Sequence, residues 1–92
     1  MIIKRGKSDV TFVYAPGGEV QKVAVAGSFN GWNPDDGIMR RQKDGTYRRK
    51  EALGPGCHEY KYLVDGQWLT DPDGDGRVPN NYGTENSVVS IT

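Results

Sequence analysis

Apolar and polar residues alternate with a period of two through Val10-Thr11-Phe12-Val13-Tyr14-Ala15. This puts Val10, Phe12 and Tyr14 on one face and predicts a strand over residues 9–15. Pro16-Gly17-Gly18 turns the chain, and Val23-Ala24-Val25-Ala26-Gly27 reads as a second strand. Residues 28–37 then pack turn formers around two aromatics, which predicts a shaped loop with Phe29 as its anchor in the core and Trp32 presented by the loop. Residues 38–42 and 46–53 flank Lys43-Asp44-Gly45, an Asp-Gly hairpin signal that gives strands three and four. Simple register across that turn sets Arg41 opposite Arg48. Residues 57–64 and 67–70 form another hairpin across Asp65-Gly66, residues 71–83 are expected as a long loop, and residues 87–91 make the last strand.

No window carries sustained helical periodicity, and thirteen glycines and five prolines punctuate the β-branched and aromatic runs. Seven short strands in 92 residues predict an all-β fold, an immunoglobulin-like sandwich of seven to eight antiparallel strands, with a five-strand barrel as the lesser alternative. No repeat, linker or low-complexity tail divides the chain, so residues 1–92 are expected to form one domain.

The Asp65-Gly66 hairpin aims side chains. With a two-residue turn, Val64 faces Gln67, Leu63 faces Trp68 and Tyr62 faces Leu69, so Tyr60, Tyr62, Val64 and Leu69 share the core face. Lys61, Leu63 and Trp68 fall on the opposite surface, with Lys61 diagonal to the indole. An exposed indole beside an ammonium suits a sugar, whose apolar C–H face lies on the ring while its rim hydroxyls take hydrogen bonds. The competing reading makes Trp68 a packing residue of a half-buried sheet and Trp32 a plug under its loop.

Charge then narrows the classes. Twelve basic residues balance twelve acidic ones, which argues against nucleic acid and an anionic membrane surface as partners. No apolar run spans a bilayer, the first residues lack a secretory signal, and a lone Cys57 excludes an internal disulfide. A cytoplasmic location is expected, with Cys57 a small, partly buried hydrophobe.

Val25-Ala26-Gly27-Ser28-Phe29-Asn30-Gly31-Trp32, Asp44-Gly45-Thr46-Tyr47, Pro55-Gly56, residues 59–68 (EYKYLVDGQW) and Asp71-Pro72, in this order and spacing, resemble carbohydrate-binding module family 48. That family includes the glycogen-binding domain of the AMP-activated protein kinase beta subunit and the N-terminal modules of isoamylases and branching enzymes. The resemblance runs from about Val10 to Ile91. It implies an immunoglobulin-like sandwich that binds α-1,4-glucan polysaccharide or oligosaccharide without catalysis or cofactor. It also implies a ligand set of Trp32, Lys61, Trp68, Tyr82, Thr84 and Asn86, in which the indoles stack on glucose and Tyr82 reaches over or through the curved chain. Lys61, Thr84 and Asn86 would bond sugar hydroxyls. On the residues alone, the competing reading of Thr84 and Asn86 is that they only cap the turn into the last strand. The alternative function is a regulatory module docking on a kinase or glucan-active enzyme, its sugar surface vestigial.

Other signals are weaker. Asp71, Asp73 and Asp75 with Gly76 copy part of a calcium loop, but position twelve is Tyr82 and no helices flank it, so a turn-rich connection is expected. Arg40, Arg41, Arg48, Arg49 and Lys50 crowd positive charge on one hairpin, read as a solvated edge. Alternation from Tyr47 points Arg49 and Glu51 inward, which requires either a bulge or an ion pair at a sheet edge. The sole histidine, His58, falls on the inward alternation, and no catalytic triad, metal cluster or phosphate loop is present in the sequence.

Overall fold

The computed structural model describes residues 1–6 and 8–91. Among them nine strands occur: β1 (Ile2–Arg5), β2 (Asp9–Tyr14), β3 (Val23–Gly27), β4 (Arg40–Arg41), β5 (Tyr47–Ala52), β6 (Gly56–Val64), β7 (Gln67–Leu69), β8 (Gly76–Pro79) and β9 (Glu85–Ile91). One antiparallel sheet has the order β1-β2-β5-β4 and the other β3-β6-β9-β8, with β7 added to the distal part of β6. The expected sandwich is present, with β1 and β8 beyond the seven strands read from the sequence. β8 lies inside the predicted long loop; its Pro79 is tolerated because β8 is an edge strand, where one missing N–H breaks no inner ladder. The helical content of the described residues is two single 3-10 turns, so no helix there is long and apolar enough to cross a membrane.

The two sheets meet over Val10 and Phe12 of β2, Val23 and Val25 of β3, Tyr60, Tyr62 and Val64 of β6, and Val89 and Ile91 of β9, all buried. The Phe12 ring lies 4.8 Å from Tyr60 and stacks at 5.4 Å on Phe29, which anchors its loop as the pattern predicted. Burying one such ring contributes roughly 1.5–3 kcal/mol. Asp71 is also buried here. Its carboxylate accepts bonds from the Tyr60 hydroxyl (2.7 Å), the Tyr62 hydroxyl (3.3 Å), the Asp73 N–H (2.9 Å) and the Met1 ammonium (2.7 Å). Burial opposes its charge, and these donors outweigh burial, so its pKa is lowered.

Two local expectations change. Across the Asp44-Gly45 hairpin Arg40 pairs with Arg48, and Arg41 with Tyr47, one residue from the simple register. Gln42 and Thr46 close a three-residue loop (N–H to carbonyl 2.7 Å), with Gly45 left-handed at φ 86° and the Asp44 carboxylate capping the Thr46 N–H. Cys57, expected to be partly buried, is exposed and lies 3.5 Å from the Ser90 hydroxyl, because it alternates with the inward Tyr60 and Tyr62 and so pairs with Ser90 on the outer face of its sheet. Arg49 and Glu51 do take the inward face, beside Phe12 and Val10 in an unbroken register. They bond each other at 2.7 Å. The two-residue β4 leaves this part of β5 at the sandwich edge, where the pair meets solvent; His58 is half-buried and bonds the Gly54 carbonyl at 2.7 Å.

Candidate functional site

The Asp65-Gly66 turn forms as read: Asp65 (φ 47°) and Gly66 (φ 86°) are both left-handed, and Val64↔Gln67, Leu63↔Trp68 and Tyr62↔Leu69 pair. Tyr62 and Val64 enter the core, and Trp68 stands on the outer face of its sheet, 47% exposed. The indole expected to face water does so.

Trp32 reaches the same face from the loop after β3. Gly27 ends that strand where a Cβ would collide with the Glu59 carbonyl oxygen and the Phe29 ring, so only glycine fits. The Asn30 side chain then ties the turn, its Oδ1 accepting from the Gly27 N–H (3.0 Å) and its Nδ2 donating to the Val25 carbonyl (3.2 Å). Gly31 and Trp32 follow in left-handed conformation at φ 65° and 61°, and the Trp32 N–H donates to the Gly27 carbonyl at 2.9 Å. For tryptophan that conformation costs about 1–2 kcal/mol. Bonds on either side hold it there, with the indole 37% exposed.

The third wall is the loop between β8 and β9, organised by Asn80. Its Oδ1 accepts the N–H groups of Tyr82 (2.9 Å) and Thr84 (3.2 Å), and its Nδ2 donates to Thr84 Oγ1 (2.8 Å) and Asn86 Oδ1 (2.9 Å). Tyr82 projects from the tip, 90% exposed. This loop covers Lys61. Alternation puts Lys61 on the outer face as expected, yet only 7% of it is exposed, because its ammonium runs under the loop to Thr84 Oγ1 at 3.0 Å. Asn86 is similarly covered, 8% exposed, with Nδ2 on Glu59 Oε1 at 3.0 Å.

Trp32, Lys61, Trp68, Tyr82, Thr84 and Asn86 all line one open groove of about 860 Å³, together with Ser28, Glu59 and residues 79–81. Chemically it offers three exposed aromatic faces around a polar floor. Thr84 Oγ1 accepts from both Lys61 and Asn80, which fills its lone pairs and leaves its proton free to donate outward; Lys61 keeps two N–H donors. Such a surface matches a flat ligand with an apolar face and a rim of hydroxyls. A depression of about 900 Å³ lies elsewhere, between residues 15–22 and 44–47, and the one aromatic lining it, Tyr47, is buried.

Sequence reasoning missed Asn80 and Glu59. Asn80 lies in the stretch expected as an ordinary loop, and Glu59's alternation with Lys61 is the signal that could have found it. The calcium pattern does not assemble: Asp71 turns into the core, Asp75 bonds Lys4 (2.7 Å) and the Ser90 N–H, and no cluster of three metal-ligating side chains exists among the described residues.

The family described as the glycogen recognition site of AMP-activated protein kinase matches residues 8–92. Among curated proteins the chain is 37% identical over 71 residues to the chloroplastic protein FLOURY ENDOSPERM 6 of Oryza sativa subsp. japonica, 77% of this chain and 13% of that protein. It is 32% identical over 71 residues to the 5'-AMP-activated protein kinase subunit beta-2 of Homo sapiens, 77% of this chain and 25% of that subunit. To subunit beta-1 of Sus scrofa it is 32% identical over 80 residues, 87% of this chain and 61% of that sequence. The chain thus spans less than two thirds of each of these relatives.

Proposed function

We infer the function from one premise: the chain belongs to the family of glycogen recognition sites of AMP-activated protein kinase. It is a non-catalytic module that binds α-1,4-glucan, glycogen or a starch-like polysaccharide. The observation that carries this reading is the pair of exposed indoles, Trp32 and Trp68, flanking one groove whose floor holds Lys61 and Thr84. Glucose rings stack on the indoles, Tyr82 closes over the chain, and Lys61, Thr84 and Asn86 bond hydroxyls. An open groove holds one short glucan weakly, and repeated binding along a branched polymer raises the effective affinity.

Titration of indole fluorescence with β-cyclodextrin, and gel retardation in glycogen, test it. Wild type responds, and Trp68→Ala binds about tenfold more weakly or worse, because the apolar surface on which a glucose ring stacks is gone. No response from wild type, or an equal one from Trp68→Ala, rejects the reading.

A second reading is favoured by one observation: Arg40 opposes Arg48 across β4 and β5, a like-charge pair that costs stability and lies outside the groove. The module would then dock through this hairpin on a kinase or a starch-handling enzyme, and the reading keeps it in the cytoplasm. An Arg40→Glu/Arg48→Glu protein that retains every partner in a pull-down argues against docking there.

A further inference from the structure

The polar groups of the groove form one continuous arc that begins and ends on β6. Glu59 accepts from Asn86, Asn86 accepts from Asn80, Asn80 donates to Thr84, and Thr84 accepts from Lys61. Glu59 is an obligate acceptor, so it fixes the orientation of the Asn86 amide and, through it, that of Asn80. Only one carboxylate oxygen is used: Oε1 takes Asn86 at 3.0 Å, and among the described residues Glu59 makes no ion pair and its Oε2 no hydrogen bond. The groove also includes Ser28, whose Oγ accepts the Glu59 N–H at 3.3 Å and keeps its proton, and Trp32 stands four residues further along the same loop.

We propose that Glu59 is a sugar-contacting, specificity-determining residue: its free carboxylate oxygen accepts a glucose hydroxyl at the Trp32 end of the groove, next to the Ser28 donor. This rests on the reading of the groove as a glucan site and extends it. A sugar hydroxyl both donates and accepts. Lys61 and the outward Thr84 proton supply donors alone, so without Glu59 the hydroxyl protons over this part of the floor have no charged acceptor. Lys61 and Glu59 also cancel in formal charge, which suits a neutral, unmodified glucan; a phosphate ester on the ring over Glu59 would be repelled.

Glu59→Gln separates contact from scaffolding. The glutamine carbonyl still holds Asn86, but the groove then receives an N–H₂ donor where it had an acceptor. In a β-cyclodextrin titration read by indole fluorescence, Glu59→Gln and Glu59→Ala both bind about five- to tenfold more weakly than wild type, with Glu59→Gln melting within about 2 °C of it. If Glu59→Gln binds as wild type does while Trp68→Ala fails, Glu59 merely positions Asn86 and the proposal is overturned with the glucan reading intact. If wild type itself does not bind, both fall.

Discussion

Trp32 is the residue where local conformation and use of the site conflict. Its left-handed backbone is unfavourable for an aromatic L-residue, and its indole is 37% exposed and lies outside the buried core. Strain of this kind is retained where the side chain is needed in one place. Trp32→Gly should relieve it, so the melting temperature should stay level or rise by up to about 5 °C while β-cyclodextrin affinity falls about tenfold. A clear drop in melting temperature would instead make the indole a plug beneath its loop, the competing sequence reading. Lys61 teaches a related point. Its alternation puts it on the outer surface, and it is nonetheless covered, because strand geometry sets a direction and a neighbouring loop sets exposure.

Among the elements, the loop between β8 and β9 depends most on a single side chain. Asn80 makes four side-chain hydrogen bonds that fold residues 80–84 over Lys61, and its backbone N–H adds a fifth to the Thr84 carbonyl at 3.0 Å. Asn80→Asp keeps the two acceptor bonds to Tyr82 and Thr84 and loses both donor bonds. We expect about 1–2 kcal/mol of lost stability in urea melts and an affinity for β-cyclodextrin several-fold lower, as Thr84 and Asn86 lose their orientation. An unchanged affinity would mean that the loop is held by its backbone alone. The hairpins illustrate turn chemistry deciding register: Asp65-Gly66 closes a two-residue loop and the counted register holds, whereas Lys43-Asp44-Gly45 closes a three-residue loop and shifts the pairing by one.

For the whole molecule, stability is tied to the buried Asp71 carboxylate, which joins β6 and the segment before β8 to the N-terminal strand pair. Burial and the Asp71 bond push the Tyr60 phenol above its ordinary range, so Tyr60 stays a donor throughout the usable pH range. The carboxylate's pKa is lowered in the folded state, so its contribution is complete above the unfolded value of about 3.9 and is lost as pH falls toward the folded value. The melting temperature should therefore hold from neutral pH to about pH 5 and decline below about pH 4. Asp71→Asn should cost about 3 kcal/mol at pH 7 and flatten the acid decline; an equally steep decline in the variant would assign it to other carboxylates. Much of this architecture was legible along the chain. Period-two alternation in residues 10–14, the glycine and proline breaks, and the Asp65-Gly66 turn are local rules, and they suffice for the sandwich, its core face and the outward Trp68. The resemblance supplied the six residues that the fold gathers in one groove. Asn80 organises residues only two to six ahead of it and was hidden among the turn formers of residues 71–83. Folding alone determined β8 as a strand, the cover over Lys61, the free edge of Glu59 and the inward turn of Asp71. The bonds that decide them reach across strands, over 11 residues from Tyr60 to Asp71, 23 from Lys61 to Thr84 and 27 from Glu59 to Asn86, and no local pattern encodes a bond that exists only after the strands have paired.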